Sequence, residues 1–402
     1  MKKLLGMAVG VLGVLLLGAS HNSPNEIGFL INAHGYKDGV IKAPQGLLKH
    51  PYLVPAGPYF QLFDWDMYFM SVALSYDKVS DPVIGSVENF LDYEGVNSNE
   101  PGYVPREIAP DAFWALPQQC KPFLAQASVR ASLTGGDFKW IAPYYDRLKN
   151  FVSYWENSRR AKDGLFLWYN GEESGSDNNP AVSDSPTTVT EGVDLQIFMI
   201  REYQALARIA HELGHPLDEI GFQTRIADVS DKIQKLMWNE QDGLYYDIDS
   251  RTNQQIKIKT WVSFLPLWVN LPTKAQAQKL IEGHLLNSKE FWSDHGIRTV
   301  AKDEPMYNPT DGYWQGPIWV VSNYLVMHGL LNYGYQEQAH DLAHETVDML
   351  VADIKVTDGM NECYNPETGE PTAAGDFVSW DLLSEHMQEE ADGAADPTAL
   401  TP

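Results

Sequence analysis

Ten stretches of this 402-residue chain space their apolar residues three and four apart, and that periodicity restricts it to a mainly helical architecture. The stretches are 64–76, 123–134, 140–160, 192–213, 222–238, 261–269, 274–286, 317–331, 336–355 and 377–387. Leu195, Phe198, Met199, Tyr203, Leu206 and Ile209 show the pattern in one of them. Strand-like alternation is confined to short pieces, 165–169 and 244–248. A dipeptide recurs after three of the helical stretches: Asp163-Gly164, Asp242-Gly243 and Asp358-Gly359. Asp-Gly supplies the left-handed residue that ends a helix or makes a tight turn, and it is also a common turn in its own right. Each copy here opens a polar loop containing aromatics. Helical hairpins arranged in a ring would gather such loops around one cavity. The expected fold class is all-α.

Length and composition set the outer limits. At 44% hydrophobic and 21% charged, the chain can bury a large core, and neither figure fits general disorder. A formal charge of −25 argues against nucleic acid and anionic membrane surfaces, both of which require basic patches. Twelve Trp and twenty Tyr suit stacking on sugar faces, although core packing uses the same residues. Met1-Lys2-Lys3 before the apolar run 4–17 has the form of an export signal, too short to span a membrane comfortably. The expected organisation is a signal peptide over 1–20, an N-terminal lead-in with little regular structure over 21–58, a catalytic domain over 59–387 and a disordered acidic tail over 388–402. Export to a periplasmic or extracellular space follows, with no stable membrane insertion after cleavage. Two cysteines, Cys120 and Cys363, cannot form a disulfide framework or a metal cluster; a single bridge and two partly buried thiols are the alternatives. The histidines form no metal or nucleophile grouping, and no metal or cofactor is expected.

Two loops carry the candidate chemistry. The loop 165–180 holds Glu172, Glu173 and Asp177 among glycines and amides, and the loop 358–369 holds Glu362. Two carboxylates from separate loops on one face are what glycoside hydrolysis needs: one donates a proton to the leaving oxygen, and the other acts on water or on the sugar. With 54 acidic residues in the chain, such a pair is unspecific by itself.

Four motifs in order make it specific. Phe63-Asp64-Trp65-Asp66-Met67-Tyr68, Glu173-Ser174-Gly175-Ser176-Asp177-Asn178-Asn179-Pro180, Gly312-Tyr313-Trp314-Gln315-Gly316-Pro317-Ile318-Trp319 and Glu362-Cys363-Tyr364-Asn365-Pro366-Glu367-Thr368-Gly369 together span nearly the whole chain after the leader. The set resembles the clan of inverting α-glycosidases that includes trehalases and glycoside hydrolase family 63, with its mannosylglycerate hydrolase-like members. The resemblance implies an (α/α)6 barrel of six hairpins. It also implies Asp177 as general acid and Glu362 as general base, cleaving an α-glucosidic or related bond in a small carbohydrate. Trp65, Asp66, Gln119, Glu173, Asn178, Trp314, Gln315 and Gly316 are the expected substrate-binding residues. Asp177 needs a raised pKa, from burial or from a neighbouring acid such as Glu173.

Three positions depart from the pattern. Gln315 stands where relatives usually carry Arg, Ser176 replaces a bulkier residue beside the acid, and Cys363 replaces Asn or Lys beside the base. The first puts in doubt a fixed cation for an anionic aglycone. A trehalase-type enzyme and a non-catalytic sugar-binding protein on the same barrel are the alternative readings.

Overall fold

The computed structural model describes residues 24–95, 100–113, 117–182, 189–396 and 400. The expected signal segment 1–20 lies outside them. Among the described residues thirteen α-helices follow in chain order: α1 (Pro24–Ala33), α2 (Tyr36–Val40), α3 (Asp64–Tyr76), α4 (Asp81–Asp92), α5 (Leu124–Gly135), α6 (Tyr145–Ser158), α7 (Gly171–Ser174), α8 (Val193–Leu213), α9 (Pro216–Lys232), α10 (Lys274–Leu280), α11 (Val320–Asn332), α12 (Gln336–Thr357) and α13 (Ser384–Ala391). Two 3₁₀ segments, Trp261–Val269 and Ser379–Leu383, complete the inner layer. In the first, Pro266 lacks the N–H an α-helix would use, and the chain winds tighter there.

The inner elements close a ring. Helix α3 packs on α5, α5 on α8, α8 on Trp261–Val269, that segment on α11, and α11 on Ser379–Leu383, which returns to α3. This is an (α/α)6 barrel. The two layers differ as their sequences require. Every residue of α3 from Asp64 to Ser75 is buried, whereas α9, on the outer ring, buries only Phe222 and Val229. The helix spanning 336–357 ends where Asp358 takes a left-handed conformation (φ 64°), so the first residue of the third Asp-Gly pair makes the turn.

Two expected boundaries differ. The stretch 21–58 contains α1 and α2 and the paired strands Ile41–Lys42 and Tyr52–Leu53. Helix α1 packs on α12 and α13 and is the outer partner of the sixth hairpin, with Ile27 and Ile31 buried. Its two apolar contacts span about one turn, too short a period to stand out among the turn residues around it. At the other end, Gln388 to Ala391 belong to α13, and Asp396 forms a 2.8 Å ion pair with the buried Arg130. Helix α4 carries no expectation from the pattern, yet it is regular throughout. Cys120 and Cys363 are both buried free thiols.

Candidate active site

The loops entering the inner helices meet at one end of the barrel around a cavity of about 390 Å³. Helix α3 sends Trp65 and Asp66 into it from its first turn. The strand Leu62–Phe63 pairs antiparallel with Glu107–Ile108 in the register Phe63↔Glu107, which brings Arg106 beside them. The loop before α8 contributes Asp177, and the loop before Ser379–Leu383 contributes Glu362. A short antiparallel bridge between Ile318 and Tyr364, with both amide–carbonyl bonds made (2.7 and 3.0 Å), ties the Glu362 loop to the entry of α11.

Glu362 is buried. Its Oε1 accepts hydrogen bonds from the hydroxyls of Tyr59 and Tyr313, each at 2.9 Å, and its backbone N–H donates to the Ala374 carbonyl at 3.0 Å. Burial pushes its carboxyl above the usual range; the two phenols oppose that shift, and the charge of Asp177 adds to it. Asp177 is likewise raised, chiefly by burial, with Arg106 and Lys121 opposing and Glu172 reinforcing. The acid that acts on Asp177 is therefore Glu172 and not the expected Glu173. Asp66 accepts from the Ser379 hydroxyl at 2.6 Å, and burial lifts its carboxyl to about 7.

A packed shell fixes these groups. Lys121 is fully buried, 3.0 Å from Asp64 Oδ1, with its ammonium 5.0 Å from the Trp65 ring centroid. Gly175 has φ 82°, and a β-carbon there would lie 2.6 Å from Trp65 Cζ2. Only glycine lets the Asp177 loop sit this close to the indole. Trp314 stacks on Trp319 at 3.8 Å and packs near Trp65 and Trp261.

Of the expected site residues, Asp177, Glu362, Trp65 and Asp66 line the cavity; the other six stand behind it. Glu173 is fully buried, accepting from the Gln119 and Tyr169 amides at 2.8 and 2.5 Å and pairing with Arg159 at 3.4 Å. It holds the loop in place and has no oxygen to offer a sugar. Gln119 is buried beside it. Asn178 donates to the Gly312 carbonyl (2.8 Å) and accepts from the Trp314 amide (2.9 Å), while Gln315 Nε2 donates to the Asn178 carbonyl (2.9 Å). These contacts join the acidic loop to the 312–316 turn. Trp314 is core to that junction, and Gly316 (φ 146°) packs against Tyr307 and Asn308, its amide donating to Thr299 Oγ1 at 3.1 Å.

The cavity also takes Glu172, one of the three acids of the 165–180 loop, and residues that the motifs and loops did not single out as site residues: Tyr59, Arg106, Tyr313, Trp319 and Phe377. Tyr313 and Trp319 lie inside the third motif and were within reach. Arg106 supplies a cation where Gln315 had put one in doubt, from a different loop. Its Nη2 lies 3.8 Å from Asp177 Oδ1.

A ring of inner helices with an aromatic cavity and facing carboxylates at one end defines an (α/α)6 barrel of the glycosidase type. Comparison with known proteins narrows the class. The chain belongs to the family described as the mannosylglycerate hydrolase MGH1-like glycoside hydrolase domain, whose family model matches residues 96–380. A cytosolic neutral trehalase of Kluyveromyces lactis is 22% identical over 372 residues, covering 73% of this chain and 48% of the trehalase. A mannosylglycerate hydrolase of Rubrobacter radiotolerans is 26% identical over 183 residues, covering 45% of this chain and 40% of that protein. The chain thus spans about half the length of these curated relatives or less. Among solved structures, a family 63 mannosylglycerate hydrolase of Thermus thermophilus in complex with Tris and D-glycerate superposes with TM-score 0.70 at 18% identity, covering 90% of this chain and 98% of that one. The neutral trehalase of Saccharomyces cerevisiae gives TM-score 0.67 at 18% identity, covering 87% and 75%. These likenesses carry the fold.

Proposed function

We propose that this protein is an inverting glycoside hydrolase acting on a short α-glucoside or related α-glycoside, with Asp177 as general acid and Glu362 as general base. One observation carries the reading: a buried carboxylate, Glu362, and a half-buried one, Asp177, come from separate loops to share one cavity, both raised above the usual carboxylate range, Asp177 beside a cation and Glu362 held by two phenols. In the reaction, Glu362 takes a proton from water as the water oxygen bonds to the anomeric carbon. The glycosidic C–O bond breaks, and its electron pair passes to the leaving oxygen, which takes the proton of Asp177. The products are two hydroxyl compounds. An inverting geometry places the carboxyl groups about 6.5–9.5 Å apart, with water between them. Asp66 binds hydroxyls of the non-reducing sugar, whose apolar face rests on the aromatic wall.

Burial keeps Asp177 protonated to a higher pH than a free carboxyl, which suits an acid working near neutrality. The relatives' names point to trehalose and mannosylglycerate as first substrates to try, and the leader-like start of the sequence supports export. Among the described residues, no helix is long and apolar enough to cross a membrane. The test is a panel of trehalose, glucosylglycerate, mannosylglycerate and short α-glucans, with NMR of the first-formed anomer. Release of the β-anomer supports the proposal, and release of the α-anomer overturns the mechanism.

A further inference from the structure

Tyr313 is a bulky aromatic residue held at φ 57°, in the left-handed region that such side chains avoid. Glycine at this position would remove the strain, and the chain uses glycine on both sides of the same turn, at Gly312 and Gly316. The turn is pinned all round. The Gln315 amide donates to the Gly312 carbonyl at 2.9 Å, the Trp319 indole N–H donates to the Tyr313 carbonyl at 3.0 Å, and the Tyr313 ring packs edge-on against Trp319 at 4.8 Å. The surrounding structure thus enforces a conformation the residue itself disfavours, a condition that clusters at functional sites. What the strain achieves is visible at the end of the side chain: the phenol reaches Glu362 Oε1.

Tyr59 reaches the same oxygen from another part of the wall. Its ring is wedged edge-on between Phe63 at 5.8 Å and Phe377 at 5.9 Å. Two rigid donors therefore meet on Oε1, while among the described residues no protein donor reaches Oε2.

We propose that Tyr59 and Tyr313 are positioning residues that lock Oε1 of Glu362, so that Oε2 is the atom that receives the proton from water. The inference rests on the reading of Glu362 as base. Burial and the nearby Glu362 charge keep both phenols protonated, so each remains a donor throughout the working range. The other titratable groups around Glu362 are Asp177 across the cavity, Asp381 behind the loop, Asp66 near Tyr59, and the adjacent Cys363. All of these are acidic. The two phenols are the hydrogen-bonding side chains that favour the charged carboxylate.

The test is the titration of the Glu362 carboxyl by ¹³C NMR in full-length protein labelled at glutamate, with Glu362→Gln identifying its signal. Tyr59→Phe and Tyr313→Phe should each raise the midpoint by about one unit, and the double variant further, since each removes a donor to the ionised form. In activity assays the acid limb should move the same way, with kcat falling more than KM changes. Tyr313→Gly, which removes the phenol together with the ring, should lose the same donor and move the midpoint in the same direction as Tyr313→Phe. An unmoved midpoint in both Phe variants overturns the clamp. A moved midpoint together with full activity in Glu362→Gln keeps the clamp and overturns the base assignment, so the two failures are distinguishable.

Discussion

The guanidinium of Arg106 stands 3.8 Å from Oδ1 of Asp177, close enough for Coulomb attraction and too far for a hydrogen bond. The pair is thus electrostatically coupled while the carboxyl oxygen remains free to pass a proton. Burial outweighs the cation, and Asp177 stays above the usual carboxylate range. Arg106→Gln should raise it further, moving the alkaline limb of the kcat/KM profile up by about one to three pH units, with Arg106→Lys partly restoring it. A pH–rate series on the three proteins measures this.

Removing either carboxyl should silence hydrolysis without unfolding the barrel. Asp177→Asn and Glu362→Gln are each expected to lower kcat by about 10²–10⁴-fold, the usual worth of a positioned acid or base. Unchanged Tm values would show that the loss is chemical.

Stability should decline as pH rises. Burial raises Asp66 to about 7, Asp194 to about 6 and Glu202 to about 8. Raised values mean that the folded state binds more protons than the unfolded chain between about pH 4 and pH 8. Their stabilising effect is complete below the unfolded values and is lost as pH climbs through the folded ones. Thermal scans should show Tm falling from about pH 4 to about pH 8, and Glu202→Gln should flatten the slope.

The ion pair beneath the cavity should be costly to break. Lys121 and Asp64 are both fully buried, so Lys121→Met leaves a carboxylate without its counter-charge. A loss of about 3–5 kcal/mol is expected in urea unfolding. Replacing both partners with apolar residues should recover much of it.

Helix α1 is integral to the barrel if its buried face matters to the whole. Ile31 is fully buried, and Ile31→Ala should cost about 2–5 kcal/mol in urea unfolding, a core-sized loss from a segment that reads as a lead-in.

The helical ring was legible because its signal is long and periodic. The spacing alone places a helix at 64–76, where α3 lies, and marks 192–213 and 336–355 close to α8 and α12. Helix α1 escaped because its buried residues are Ile27 and Ile31 with the apolar Phe29 exposed between them, which blurs the three-and-four spacing. The carboxylates were legible through ordered motifs, but their surroundings depended on pairing between distant segments. Arg106 enters the cavity only because Phe63 lies opposite Glu107, a register no local pattern encodes. Glu172 and Glu173 are adjacent, and which of them faces the cavity is decided by the short turn of α7. That turn aims Glu173 at the Gln119 and Tyr169 amides and leaves Glu172 at the mouth. The strain at Tyr313 had no sequence signal, since nothing in the letters forbids glycine there.

The seating of α1 against α13 sets an order of events. Residues 24–33 leave the ribosome early, with Ile27 and Ile31 exposed, and the surface that covers them is not synthesised until residues 384–391 follow, after nearly the whole barrel. Five hairpins can form from neighbours in the chain; the sixth needs a contact across some 350 residues, the kind of long loop closure that slows folding. The ring is therefore expected to stay open on one side until residues 384–391 have been made, and factors that shield apolar segments would act first on α1.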